Sequence, residues 1–166
     1  MKIAVCPGSF DPVTYGHLDI ITRACDIFDR VYVAVLTNPA KSALFTPDER
    51  VEMLSMATRH LDAVICERFD GLVVEYARLR GAIAIVRGLR AVTDFEFELK
   101  MASMNHHLDK EVETVFMMTS NEYSFLSSSA VKEVASLGGN VSAWVPSCVA
   151  EALTRKYSHA REAGIS

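Results

Sequence analysis

Residues 7 to 17 read Pro-Gly-Ser-Phe-Asp-Pro-Val-Thr-Tyr-Gly-His, directly after the apolar run Ile3 to Cys6 and ahead of a helical pattern near Leu18. A short strand, a glycine turn and a helix in that order present backbone N–H groups to a phosphate. Gly8 lacks a Cβ and so permits close approach of the backbone to a ligand. Ser9 supplies a hydroxyl, and His17, three residues after Thr14, supplies a donor that can carry charge near neutral pH. No side chain here looks like an activated nucleophile. The chemistry expected is electrostatic handling of phosphate, with His17 as a general base or as a clamp; a capped turn of purely structural meaning stays open at this point.

Three further groups match that chemistry. Lys41 stands alone in a polar loop, Thr37 to Phe45; Arg87 and Arg90 frame Arg-Gly-Leu-Arg; and Ser127-Ser128-Ser129 open a helix. Taken singly, the cations read first as solvated surface charges, and the serines read as a helix cap as readily as a site. Each follows a strand, however, and open parallel sheets bind ligands beyond the carboxyl ends of their strands, at the switch point. Together they make a rim suited to several phosphates. The dinucleotide pattern GxGxxG and the GxxxxGK[ST] phosphate loop are both missing after the first strand.

The elements that must position these residues alternate. Strands are expected at Lys2 to Cys6, Val31 to Leu36, Ala63 to Cys66, Ala82 to Val86 and Thr114 to Met118. Helices are expected from His17 to Phe28, with Ile20, Ile21, Ala24, Ile27 and Phe28 inward, and from the capping box Thr46-Pro47-Asp48-Glu49 to Arg59. Others run from Leu72 to Arg80, from Ala130 to Leu137, and from Val145-Pro146-Ser147 to Tyr157. Thr93 with Glu96 reads as a second capping box, opening a helix to Leu108. That helix carries Phe95, Leu99 and Ala102 on one side and Phe97, Met101, Met104 and Leu108 on nearly the opposite one. It must be covered twice, by its own sheet and by a subunit interface or a loop of the same chain. The fold class is α/β, a single doubly wound five-stranded parallel sheet with helices on both faces.

Composition sets the outer bounds. With 166 residues, half of them hydrophobic and 23% charged, the chain is expected to fold as one soluble domain over residues 1–157, with 158–166 a mobile tail. No apolar run reaches the length of a membrane span, and the N-terminus does not read as a signal peptide. A formal charge of −4 argues against nucleic-acid binding. Cys6, Cys25, Cys66 and Cys148 lie far apart and read as buried free thiols in a reducing cytoplasm. Neither they nor the five histidines show metal-site spacing, and no metal ligand is assigned.

Thr14-Tyr15-Gly16-His17 resembles the (H/T)xGH signature of the nucleotidyltransferase superfamily, and Leu126-Ser127-Ser128-Ser129-Ala130-Val131-Lys132 resembles its second, ISS[ST]xx[RK]. With Pro7 to Pro12, Arg87-Gly88-Leu89-Arg90-Ala91 and Asp94-Phe95-Glu96, residues 1 to 157 look like a bacterial phosphopantetheine adenylyltransferase. The resemblance implies a Rossmann-like nucleotidyltransferase fold. It also implies transfer of the adenylyl group of ATP to 4′-phosphopantetheine, with Mg²⁺, giving dephospho-coenzyme A and pyrophosphate in coenzyme A synthesis. His17, with Lys41 and Arg90, would be catalytic, His17 stabilising the transition state at the α-phosphate. Ser9, Phe10, His17, Gly88, Leu89, Arg90, Glu98, Tyr123, Ser124, Phe125, Leu126, Ser127, Ser128 and Ser129 would hold ATP. Ser9, Lys41, Val73 and Arg87 would hold the phosphopantetheine. Glu98 would otherwise read as a surface charge and Val73 as core. Ser9 stands where relatives often have threonine, and Tyr123 where some have tryptophan. A homohexamer, a cytoplasmic location and feedback inhibition by coenzyme A are further implications. Rival readings are another adenylyl- or cytidylyltransferase of the superfamily and a non-catalytic nucleotide-binding module.

Overall fold

The five apolar runs pair into one parallel sheet. In the computed structural model, which describes residues 1–38 and 42–164, the strands are β1 (Ile3–Gly8), β2 (Arg30–Leu36), β3 (Val64–Phe69), β4 (Ala84–Leu89) and β5 (Glu113–Met118). Their order is β3-β2-β1-β4-β5, every neighbouring pair parallel. The chain leaves β1 toward β2 and β3, then returns to lay β4 on the other side of β1. The switch point therefore lies between β1 and β4.

Alternation along the strands divides the core in two. Ala4, Cys6, Val31, Val33, Val35, Ala84 and Val86 face one layer, while Val5, Ala34 and Ile85 face the other. The first layer is covered by α1 (Tyr15–Cys25), α2 (Pro47–Thr58), α5 (Ser128–Ser136) and α6 (Ser147–Glu162), with Ile21, Leu54, Val131, Val149 and Leu153 inward. The second is covered by α3 (Val73–Leu79), through Val74, Tyr76 and Ala77. Strands buried on both faces explain why β2 carries an almost unbroken apolar run.

Helix starts follow their caps. Thr46 accepts from Glu49 N–H at 3.2 Å while Glu49 accepts from Thr46 N–H at 2.8 Å, the full capping box expected ahead of α2. Several ends differ from expectation. α1 stops at Cys25, with Asp26 as its cap, so Ile27 falls beyond the stripe and is exposed. β3 runs on to Phe69, and β4 to Leu89 because Arg87, Gly88 and Leu89 keep register with Phe116, Met117 and Met118. Arg87 is thus in the strand and not after it. α6 continues to Glu162, five residues past Tyr157.

The largest departure is α4 (Val92–Leu108). Ala91 is its cap, so the helix opens two residues before Thr93, the cap position that the sequence suggested. Its two apolar sides are not buried by its own sheet: Phe97, Met104 and Leu108 are 60–63% exposed, and Phe95, Leu99 and Met101 are also open. What α4 turns inward is polar, Glu98 and Asn105. All four cysteines are free; Cys6 is buried as expected, while Cys25, Cys66 and Cys148 are only half-buried.

Candidate active site

A cavity of about 360 Å³ opens over the carboxyl ends of β1 and β4, at the switch point. That is within the range of small-molecule sites. The glycine turn, β4, the start of α4 and the start of α5 all contribute to its wall.

The turn after β1 is shaped by Phe10. Its backbone is left-handed (φ 47°), a conformation uncommon for a residue with a side chain. The ring thereby folds back over Gly8, where a Cβ would sit 3.0 Å from it, and lies edge-on to His17 with centroids 5.0 Å apart. The chain's own Phe10 thus also requires glycine at position 8, whose backbone lines the cavity. At the other wall, a Cβ on Gly88 would press on Ile20 at 3.0 Å, so glycine lets β4 lie tight against α1.

His17 occupies the third position of α1, where a capping box normally has Glu or Gln. Thr14 N–H donates to His17 Nδ1 at 3.0 Å, and the Thr14 hydroxyl accepts from His17 N–H at 3.4 Å. An imidazole nitrogen that accepts cannot carry a proton, so Nε2 holds the ring's hydrogen. Burial pulls the pKa down to about 4, with Arg90 and Arg87 adding to the effect. The expected charge near pH 7 is therefore corrected: the imidazole is neutral, an Nε2–H donor of fixed tautomer. Cys6 also lines the cavity, but burial, with help from Cys25, pushes its thiol up to about 12, so it is no nucleophile.

Both arginines are held by α4. Glu98 accepts from Arg87 Nε at 2.8 Å and from Nη2 at 2.6 Å, and Pro7 C=O accepts from Nη1 at 2.7 Å. Three of the five guanidinium N–H groups are used and two remain for a ligand. Arg90 donates to Leu126 C=O at 2.8 Å and to Asp94 at 3.2 and 3.5 Å, which again leaves two. Glu98 thus touches the cavity chiefly as the partner of Arg87.

The serines divide their work. Ser127 caps α5 by accepting from Ala130 N–H at 3.1 Å, and Ser128 donates to Pro12 C=O at 2.7 Å. Both line the cavity with Ser129, at the N-terminus of α5, where free N–H groups favour an anion.

Of the residues expected to bind, Ser9, Phe10, His17, Arg87, Gly88, Arg90, Glu98, Leu126, Ser127, Ser128 and Ser129 line this one cavity. Leu89, Tyr123, Ser124, Phe125 and Val73 do not. Leu89 is buried, and Val73 packs against the second core layer. Tyr123 leans on Tyr15, and Phe125 meets the edge of Trp144. Lys41 lies outside the described residues.

Two supports escaped the sequence reading. Arg50, buried on α2, donates to Ser9 C=O at 2.8 Å and reaches Leu36 and Thr46 C=O at 3.4 Å. Its spacing with Met53 and Leu54, on the buried stripe of α2, was the available signal. Asp19 accepts from Ser120 N–H at 3.1 Å and Ser120 hydroxyl at 2.9 Å, anchoring the segment after β5 to α1. Only the fold brings that pair together.

The chain is similar to known proteins at three levels. A family model described as cytidylyltransferase-like matches residues 5–134. A phosphopantetheine adenylyltransferase from Heliobacterium modesticaldum is 59% identical over 157 residues, 95% of this chain and 94% of that protein. Among solved structures, a putative nicotinate-nucleotide adenylyltransferase from Vibrio parahaemolyticus superposes with a TM-score of 0.69 at 17% identity, covering 95% of this chain and 96% of that one. A bifunctional NMN adenylyltransferase/ADP ribose pyrophosphatase from Francisella tularensis gives the same TM-score and identity over 93% of this chain and 49% of that one. At such identity these two show a shared fold.

Proposed function

The chain belongs to the phosphopantetheine adenylyltransferase family, within the cytidylyltransferase-like nucleotidyltransferases, and from that premise we propose that it transfers the adenylyl group of ATP to 4′-phosphopantetheine. The observation that carries the reading is the meeting of both signatures and both arginines around one cavity. A phosphate oxygen of 4′-phosphopantetheine attacks the α-phosphorus of ATP. The new P–O bond forms as the bond to the β-phosphate oxygen breaks, and pyrophosphate leaves with that oxygen. The nucleophile arrives already ionised, so no general base is required. The residues need to align two anions and stabilise charge on the α-phosphate oxygens.

The proposed roles follow from the donors. His17 Nε2–H, neutral and held by Thr14, donates to the α-phosphate. The two unspent N–H groups of Arg87 take the acceptor phosphate, with Ser9 and Lys41. Those of Arg90, with the N-terminus of α5, take the phosphates of ATP, and Lys41 and Arg90 assist the transfer. A resident Mg²⁺ does not fit the protein donors: the carboxylates of the cavity, Asp94 and Glu98, are spent on arginines, and no group of three ligating side chains comes together among the described residues. We propose that Mg²⁺ enters on the ATP phosphates, and the roles above do not depend on it.

We propose a homohexamer, the number being what the resemblance implies; the exposed apolar sides of α4 support self-association, because so large an apolar surface on one helix favours burial against further copies. Coenzyme A, which shares the pantetheine arm and adenylate of the product, is proposed as a feedback inhibitor. No helix among the described residues is long and apolar enough to cross a membrane, which agrees with the proposed cytoplasmic location.

The test is product analysis by mass spectrometry after incubation with ATP and 4′-phosphopantetheine, against CTP and a panel of other phosphate acceptors. Dephospho-coenzyme A is expected. Turnover of nicotinate mononucleotide or glycerol phosphate in its place would assign a rival transferase, and binding without product a non-catalytic module.

A further inference from the structure

The second signature ends on a basic residue, Lys132, on the helix whose N-terminus faces the cavity. Lys132 is on α5 but does not line the cavity, and its Nζ lies 2.9 Å from Asp11 Oδ2. Asp11 is 6% exposed and spends both oxygens: Oδ1 accepts from Phe45 N–H at 2.9 Å, and Oδ2 also accepts from Leu44 N–H at 3.0 Å. The pair therefore closes three segments on one point, the turn after β1, the segment leading into α2, and α5.

A second contact fixes the direction of α5. Ser128, one turn before Lys132 and so on the same helix face, donates to Pro12 C=O at 2.7 Å. Two neighbouring residues, Asp11 and Pro12, thus hold α5 at two points a turn apart. Rotation of α5 about either point is blocked by the other, and the N-terminus carrying Ser127 and Ser129 stays aimed at the cavity. A lysine with a buried carboxylate at ion-pair distance has its charge answered before any substrate arrives.

We propose that Lys132 is a positioning residue, which acts through Asp11 to hold α5 and the Leu44–Phe45 segment on the turn after β1, and that it is not a ligand of the nucleotide phosphates. The kinetic part of this proposal rests on the adenylyl-transfer reading; the structural part does not.

The experiment compares K132Q, D11N and the double variant by amide hydrogen exchange, nucleotide binding and turnover. Losing the Lys132 anchor on Asp11, or the Asp11 charge that accepts from both amides, should speed exchange at Leu44 and Phe45 about tenfold in each single variant, with Val33 in the central sheet unchanged. Turnover should fall about 10- to 100-fold from misplacement of the α5 N-terminus, and the Kd for ATP should rise to the same extent in K132Q and in D11N, because both loosen the helix end that takes the ATP phosphates. The double variant should be no worse than the poorer single, since the two residues act as one unit. K132R, which keeps the charge, should restore turnover in large part. The opposite pattern overturns the proposal: K132Q weakening ATP binding about tenfold or more with Leu44 and Phe45 exchange unchanged, while D11N binds ATP normally. Faster exchange across the whole sheet would also overturn it, as a loss of global stability. If a single variant does not fold, D11N/K132Q removes both charges at once and carries the exchange and binding measurements. A wild-type protein without transferase activity would sink the functional reading and leave the exchange result to decide this one.

Discussion

Glu98 grips the guanidinium of Arg87 with both carboxylate oxygens, at 2.6 and 2.8 Å, and Asp94, one turn earlier on α4, holds Arg90. One helix therefore sets both arginines of the cavity. Bidentate pairing fixes the plane of each guanidinium and so the direction of its remaining N–H groups. For R87A the expected outcome is a raised KM for 4′-phosphopantetheine with little change for ATP. Stability should fall by about 2 kcal/mol, less than for a fully buried pair because Arg87 is 31% exposed while Glu98 is left without its partner. Steady-state kinetics and urea unfolding measure both. An effect confined to ATP would reassign Arg87.

His17 gives a second expectation. H17A should lower kcat about 10²- to 10³-fold, the usual loss when one charge-stabilising donor is removed, and should keep the fold. Circular dichroism alongside single-turnover rates separates the two effects. A near-normal rate would remove His17 from the transition state.

Acid titration tests the same residue in a different way. The folded state holds His17 at about 4 against an ordinary value of 6.5, so between those values the unfolded chain takes up a proton that the folded chain refuses. Stability from this site is complete above pH 6.5 and falls as pH drops toward 4. Asp11 is also held low: burial would raise it, but Lys132 and the Phe45 and Leu44 amides outweigh burial. Its contribution is complete above its ordinary 3.8 and is lost at still lower pH. Melting temperatures from pH 8 to 3 should show the first loss in wild type and not in H17A. The same slope in both proteins would refute the histidine assignment.

Arg50 concerns the turn after β1. R50M leaves the Ser9 carbonyl without its buried donor, and unfolding should become easier by about 1–3 kcal/mol. Since Ser9 lines the cavity, KM should also rise. Denaturation midpoints and KM measured together check this; an unchanged KM would confine Arg50 to stability.

The exposed sides of α4 can be tested by assembly. Light scattering should give a hexamer for wild type and a smaller species for F97E/M104E, because charge on an apolar contact opposes its burial. A stable wild-type monomer would sink the hexamer.

Much of this was legible in the residues. Strand positions, the switch-point rim and the Thr46–Glu49 cap follow from patterns of two and three to four residues, which local geometry dictates. His17 and the serine run were found by their place after strands. What stayed hidden was set by partners distant in sequence. The neutrality of His17 depends on Thr14 N–H together with burial, Glu98 gains its place from Arg87 in a neighbouring strand, and Lys132 from Asp11 across 121 residues. α4 misled because its apolar spacing looks like core, whereas the side turned to its own sheet carries Glu98 and Asn105.

The most direct measurement is pyrophosphate released from ATP with and without 4′-phosphopantetheine. Release that depends on the acceptor, one pyrophosphate for each dephospho-coenzyme A formed, is the expected result. No release with both substrates present, or equal release without the acceptor, would contradict adenylyl transfer to the pantetheine phosphate.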